Sequence, residues 1–130
     1  MDRLRRITMT SDGDGAVVAT NRSGATIAID PSGETGFTPV ELLLAALGSC
    51  GAVDVALLMR KQRDPVGAMR IEVEGEKDDA RMTWLRVRYH LEGEHDPAKV
   101  DRALTKTSED LCSVSRTIRM SAPVEHVVEP

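Results

Sequence analysis

The chain has 130 residues and a net charge of −4, with 21 acidic and 17 basic side chains. A chain of this length folds as one domain in most cases and buries a hydrophobic core without disulfides. The acidic balance and the aromatic content of 2% argue against nucleic-acid binding, because few rings are available to stack on bases. We therefore predict a single domain over residues 1–130 that binds no nucleic acid.

The two cysteines bear on the cellular compartment. Residues 1–10, MDRLRRITMT, lack the apolar core of a secretory signal. Cys50 and Cys112 are therefore expected in a reducing compartment, where paired thiols are more often redox-active than structural. We predict a cytoplasmic location.

Short strands precede the first long apolar segment. Residues 3–10 alternate weakly and indicate an edge strand, whereas residues 16–20 and 25–30 are richer in β-branched side chains. Residues 21–24 between them predict a hairpin turn, in which Gly24 is free to adopt a positive φ. Residues 30–36, DPSGETG, are predicted to form a loop.

A single long helix is predicted over residues 38–61, TPVELLLAALGSCGAVDVALLMRK. Thr38 suits the N-cap, Pro39 the first helical position, and Glu41 the acidic position of a capping box. The helix is apolar on almost every side, with Asp54 as the only charge between residues 42 and 58. Such a helix is expected to be buried on all sides.

The length of this helix predicts a partner chain. About 23 residues rise by roughly 35 Å, which is too much apolar surface for one small sheet to cover. A homodimer that packs two such helices together would bury every side. A membrane span is the alternative, but the internal charge, the glycines and the N-terminal cap favour a helix of a soluble protein, so no membrane is predicted as a partner.

The second half of the chain predicts two strands, helices and a last strand. Apolar residues alternate with charged ones around residues 69–74 and 85–92, with a charged turn at residues 77–79. Asp96 and Pro97 open a second helix. The predicted inward residues of that helix are Ala98, Val100, Leu104 and Leu111. A short helix or kink is expected near Cys112 and a final strand at residues 124–128, so the pattern is that of an α+β fold.

Cys50 and Cys112 are the first candidates for chemistry. Cys50 is either a small buried side chain or a reactive thiolate, and a thiolate needs a cation from another segment. The separation from Cys112 is far too long for a CxxC motif and wrong for common zinc patterns. The three histidines, His90, His95 and His126, add no ligand spacing, so neither a metal nor a cofactor is predicted.

Glu41 and Asp54 are acids on the same predicted helix as Cys50. The capping box accounts for Glu41 by itself. Helix geometry places Glu41 on the face opposite Cys50 with a rise of about 13 Å between them, so a shared site would need a partner chain or a bend. Asp54 lies one turn after Cys50, where a carboxylate would raise the pKa of the thiol. We interpret Asp54 as a helix–helix or backbone contact.

Three arginines are candidate cations for a thiolate. Arg22 lies in the predicted hairpin turn, where a solvated surface residue is the simpler interpretation. Arg116 and Arg119, just after Cys112, are the alternatives.

TPVELLLAALGSC, followed by Cys112 in LCSVSRTI, resembles the OsmC/Ohr family of thiol peroxidases. The match is closest to the branch with the pattern LLLAALGxC…CSVS and follows the whole chain in order. The resemblance implies an OsmC-like fold with N-terminal strands, a long buried central helix, antiparallel strands, C-terminal helices and a last strand. It also implies an intertwined homodimer.

The resemblance further implies a peroxidase. Cys50 matches the peroxidatic cysteine, Cys112 the resolving cysteine, and Glu41 the glutamate that pairs a thiolate-stabilising arginine. No arginine matches by motif, and Arg22 is the nearest by region. Ser113 follows Cys112 where better-known members have proline.

The implied substrates are small hydroperoxides, and the implied reductant is a dithiol such as a dihydrolipoyl group. Apolar residues Leu43, Leu47 and Val53 would favour organic hydroperoxides, in defence against oxidative stress. The alternative is an OsmC-like protein with weak or no peroxidase activity that binds a small apolar ligand at the dimer interface.

Overall fold

The computed structural model describes residues 3–129 and has the α+β fold predicted from the sequence. One compact unit ends at Leu44 and a second begins at Ala45. The elements in chain order are β1 (Thr8–Ser11), β2 (Val17–Thr20), β3 (Thr26–Ile29), α1 (Pro39–Lys61), β4 (Met69–Lys77), β5 (Met82–Leu91), α2 (Pro97–Lys106), a π-helical turn (Thr107–Leu111) and α3 (Ser113–Ile118).

The first unit contains a three-stranded antiparallel sheet in the order β1-β2-β3. β1 begins only at Thr8, so the edge strand predicted from residue 3 is shorter than expected. The predicted hairpin turn is confirmed: the side chain of Asn21 accepts hydrogen bonds from the N–H groups of Ser23 and Ala25. Gly24 takes a φ of 89°, which is why glycine suits that position.

The loop before α1 is held by its own side chains. The carboxylate of Asp30 accepts hydrogen bonds from the N–H and hydroxyl groups of both Ser32 and Thr35. These bonds hold the pKa of Asp30 well below its usual range. The predicted capping box follows: the Thr38 N–H donates to Glu41 at 2.8 Å, and the Glu41 N–H donates to the Thr38 hydroxyl at 3.1 Å.

Helix α1 has the predicted bounds but is not buried on all sides within one chain. Its buried residues are Leu47, Gly48, Gly51, Val55, Leu58 and Met59. Val53 on the same helix is 68% exposed, and Leu43 and Leu57 are also exposed. Within one chain only one face of α1 is buried, so the predicted burial of its other sides depends on the predicted partner chain. By length and mean hydropathy, 2.1 in its most apolar window, α1 also passes as a membrane span, a test that core helices of soluble proteins pass too.

The second unit packs α1 on the antiparallel hairpin of β4 and β5. The hairpin shows the predicted alternation of half-buried apolar and exposed charged residues. Two glycines of α1 allow close approach: a Cβ at Gly48 would collide with Val73, and one at Gly51 with the Tyr89 hydroxyl. A core cluster of Val55, Leu58, Met59 and Ala103 joins α1 to α2.

Helix α2 begins as predicted but faces the core differently. The Asp96 side chain caps it by accepting from the Ala98 N–H. Ala98 and Leu111, predicted to face inward, are exposed, whereas Ala103 is only 1% exposed. The buried stripe runs through Val100, Ala103, Leu104 and Thr107, which is the spacing of one helix face.

The last strand predicted at residues 124–128 is absent from the described chain. Val124, Val127 and Val128 are 73–96% exposed. The alternation of their sequence alone cannot form a strand, because a strand requires a neighbouring edge with which to pair.

Candidate thiol site

Two helical segments of the second unit carry the cysteines. Cys50 lies in the middle of α1 and is partly exposed. Cys112 is only 1% exposed and lies between the π-helical turn and α3. The N–H of Cys112 donates to the Thr107 carbonyl at 2.9 Å, which closes the turn. Its Sγ accepts a 3.4 Å hydrogen bond from the Ser115 N–H, so the thiol caps α3.

The structure brings Cys50, Cys112 and Asp54 together. The two Sγ atoms and a carboxylate oxygen of Asp54 all lie within 4.8 Å of one another. The predicted position of Asp54 beside Cys50 is confirmed, and the carboxylate also lies beside Cys112 of another helical segment. One turn of α1 separates Asp54 from Cys50, and the approach of Cys112 from another segment makes the carboxylate a neighbour of both thiols.

One oxygen of Asp54 is unusual for a carboxylate. Oδ2 is buried and has no hydrogen-bond partner among residues 3–129. A buried carboxylate oxygen without a donor is costly, and such groups in native proteins tend to occur at sites with a chemical role.

Burial raises the pKa of Cys112. The largest cause is desolvation, since a buried thiol cannot easily become a thiolate. The hydrogen bond from the Ser115 N–H acts in the opposite direction, and the neighbouring Cys50 adds to the rise. Cys112 is therefore protonated at neutral pH.

Tyr89 completes the surroundings of the thiols. Its hydroxyl lies against the backbone of Gly51, one residue after Cys50. Desolvation raises the pKa of Tyr89, and the nearby Cys112, Asp54 and Cys50 raise it further. The phenol therefore stays protonated and can donate a hydrogen bond within the site.

A cleft of about 580 Å³ opens beside Cys112. Its apolar walls come from α1, β5, α2 and α3. They include Leu47, Val87, Leu104 and Ile118. Thr107 also lines the cleft, and its buried hydroxyl has no hydrogen-bond partner within the described chain. The cleft has the size and apolar character of a small-ligand site.

The predicted cations do not contact the thiols. Arg119 lines the cleft, but its guanidinium donates to the Ser108 carbonyl at 2.8 Å. Arg116 donates to the Asp110 carbonyl at 3.2 Å. Within residues 45–129, neither a hydrogen bond nor an ion pair joins an arginine or lysine to Cys50 or Cys112.

Glu41 and Arg22 lie in the first unit. The Glu41 carboxylate accepts the Thr38 N–H of the capping box. Arg22 is exposed in the turn between β2 and β3. Their roles at a thiol site stay predictions.

Sequence reasoning missed three residues of the site. Asp54 was visible as the lone charge of an apolar helix, which is a signal of function when the helix is buried. Tyr89 and Thr107 gave no comparable signal, because their positions beside the thiols depend on how β5 and the π-helical turn pack. The metal-ligating potential of the two cysteines with Asp54 was also missed, since their spacing matches no common motif.

The fold and these contacts define a small α+β protein with two thiols and a carboxylate beside one cleft. The family model described as OsmC-like protein matches residues 31–127. This chain therefore belongs to the OsmC-like family, which includes proteins named for organic hydroperoxide resistance.

Individual proteins are similar to this chain in sequence or in fold. Protein YhfA of Escherichia coli is 28% identical over 112 residues, which span 82% of this chain and 84% of that protein. An OsmC-like protein from Mycoplasma pneumoniae has a TM-score of 0.79 at 16% identity, covering 92% of this chain and 89% of its own. The organic hydroperoxide resistance protein OhrB of Bacillus subtilis has a TM-score of 0.63 at 18% identity, covering 88% and 90%. At these identities the two structures bear on the fold alone.

Proposed function

We propose that this protein is a thiol-dependent peroxidase that reduces organic hydroperoxides. The observation that carries the proposal is the approach of the Cys50 and Cys112 sulfurs to within 4.8 Å beside an apolar cleft. A disulfide needs the two sulfurs to close to about 2.05 Å. Membership of a family with hydroperoxide resistance proteins supports the same reaction.

The proposed reaction has three steps. The Cys50 thiolate attacks the O–O bond, so that one oxygen stays on sulfur as a sulfenic acid and the alcohol leaves. Cys112 then attacks the Cys50 sulfur and displaces water, which gives the Cys50–Cys112 disulfide. An external dithiol, such as a dihydrolipoyl group, reduces this disulfide by thiol exchange and is itself oxidised.

The cleft supports organic hydroperoxides as the substrate class. Leu47 and Ile118 are among the apolar residues that line it. Burial of an alkyl chain there is favourable in proportion to its area, which hydrogen peroxide cannot exploit. We propose a role in oxidative stress defence in the cytoplasm.

We also propose that Glu41 pairs an arginine that stabilises the Cys50 thiolate, with Arg22 as the candidate. The partner chain of a homodimer is the proposed source, because helix geometry keeps Glu41 away from Cys50 on a straight α1. Glu41→Gln and Arg22→Met should each slow the loss of the first thiol to hydroperoxide by about 10²-fold or more. Lys77→Met, at the exposed end of β4, is the matched control.

The direct test is a thiol count on the reduced protein before and after one equivalent of cumene hydroperoxide. Wild type should lose both thiols to an intramolecular disulfide. Cys50→Ser should lose none, and Cys112→Ser should lose one and stop at the sulfenic acid. Hydroperoxide consumption by Cys50→Ser at the wild-type rate would refute the proposal.

A second candidate is an OsmC-like protein that binds a small apolar ligand with weak or no peroxidase activity. The absence of any arginine or lysine bonded to the thiols within residues 45–129 favours it. This function predicts that both thiols persist after hydroperoxide and that an apolar ligand raises the melting temperature. The thiol count therefore distinguishes the two candidates.

A further inference from the structure

The cluster of Cys50, Cys112 and Asp54 is suited to metal binding as well as to peroxide reduction. Two sulfurs and one carboxylate oxygen lie within 4.8 Å of one another. A tetrahedral zinc ion with Zn–S bonds of about 2.3 Å holds its sulfurs ~3.8 Å apart and its carboxylate oxygen at a similar separation. Small side-chain rotations therefore suffice to bring all three atoms to one ion.

The donor groups of the cluster suit a cation. Two thiols and a carboxylate converge, and no basic side chain among residues 45–129 bonds to either thiol. Oδ2 of Asp54 is buried and has no donor in the described chain. A divalent ion would displace the thiol protons and give the carboxylate a partner, as buried carboxylates require.

The donor set selects the kind of ion. Two thiolates favour a soft or borderline metal and disfavour magnesium or calcium, while the carboxylate suits zinc. Three protein ligands leave a fourth position, which the cleft beside Cys112 can supply with solvent.

We propose that the reduced protein binds one Zn²⁺ per chain through Cys50 Sγ, Cys112 Sγ and the Asp54 carboxylate. Binding releases the two thiol protons and needs no redox step. The ion occupies both sulfurs, so the zinc form does not react with hydroperoxide and the metal regulates the proposed peroxidase site. The binding itself does not depend on peroxidase activity.

The test is an anaerobic titration of the fully reduced protein with Zn²⁺ against a chromophoric chelator. Wild type should bind one ion per chain. Asp54→Asn should weaken binding at least about tenfold, since loss of even an outer-shell partner costs roughly 10–100-fold. Asp79→Asn, the same change in the exposed β4–β5 turn, should bind as wild type. Equal affinity of Asp54→Asn and wild type, or no saturable binding by wild type, would overturn the inference.

A second measurement avoids reliance on the folding of a variant. X-ray absorption of the zinc-loaded wild-type protein should show two sulfur neighbours near 2.3 Å and oxygen neighbours near 2.0 Å. A zinc shell with one sulfur or none would contradict the ligand assignment. The thiol count with hydroperoxide is made without metal, so failure of the zinc site and failure of the peroxidase proposal give separate results.

Discussion

In the proposed reaction, Cys112 is the residue that decides how fast the disulfide forms. It is the more buried of the two cysteines, and its pKa is raised mainly by desolvation. An attack on a sulfenic acid needs the thiolate of Cys112. The burial of Cys112, which is the largest cause of the rise, remains when Cys50 is converted to the proposed sulfenic acid.

This shift predicts the pH dependence of disulfide formation. At neutral pH only a small fraction of Cys112 is ionised, so the second thiol should disappear more slowly than the first. The rate of this second phase should rise by up to about tenfold per pH unit until the raised pKa of Cys112 is passed. A single-turnover experiment with one equivalent of hydroperoxide, from about pH 6 to 10, measures it.

Cys112→Ser is the control for that experiment, because it should show no second phase at any pH. A second-phase rate that does not change with pH would mean that Cys112 is already ionised, or that it is not the attacking group.

Among the elements, the end of α1 and the start of α2 are joined by polar side chains. Gln62 donates to the Lys99 carbonyl at 2.9 Å and accepts from Arg102 at 3.0 Å. His95 contacts Asp64 through Nδ1 at 2.7 Å and the Glu92 carbonyl through Nε2 at 3.0 Å. Since both partners of His95 are acceptors, only the doubly protonated imidazolium donates to both.

The His95 contacts predict a pH-dependent stability. The hydrogen bond to Asp64, followed by that to the Glu92 carbonyl, raises the pKa of His95. A raised folded-state pKa gives a stabilisation that is complete below the unfolded value of about 6.5 and is lost as pH rises through the folded value. The difference in unfolding free energy between wild type and His95→Gln should therefore be larger at about pH 5.5 than at about pH 9.

Denaturant unfolding at the two pH values measures this difference. His126→Gln, in the exposed C-terminal segment, is the matched control and should show no comparable change. A wild-type advantage over His95→Gln that grows with pH would contradict the assignment of the imidazolium.

At the scale of the whole molecule, α1 exposes apolar side chains whose burial would be favourable. Val53 on α1 is 68% exposed, and Leu43 and Leu57 on the same helix are also accessible. Apolar side chains at this density on a helix mark an interaction surface in a soluble protein. We propose that a second copy of the chain packs against this apolar surface of α1.

The homodimer predicts the effect of a charge on α1. Val53→Asp should convert the dimer to a monomer, because an unpaired carboxylate would be buried in the interface. Size-exclusion chromatography with light scattering measures the mass. Ala80→Asp, in the exposed β4–β5 turn, should remain a dimer. A monomeric wild-type protein would refute the proposed dimer.

The sequence by itself determined the elements whose signals are local. Neighbouring residues account for the bounds of α1, the capping box at Thr38, the N-cap at Asp96, the hairpin turn at Gly24 and the alternation in β4 and β5. The motifs around Cys50 and Cys112 also identified the OsmC-like family.

Only the tertiary structure decided which distant residues meet. It placed Asp54 beside Cys112, held His95 against Asp64, and left residues 124–128 without a strand partner. It also turned Ala103, rather than Ala98, to the core. The physical reason is that these contacts depend on the path of several intervening turns and on which faces pack, and no local periodicity encodes either.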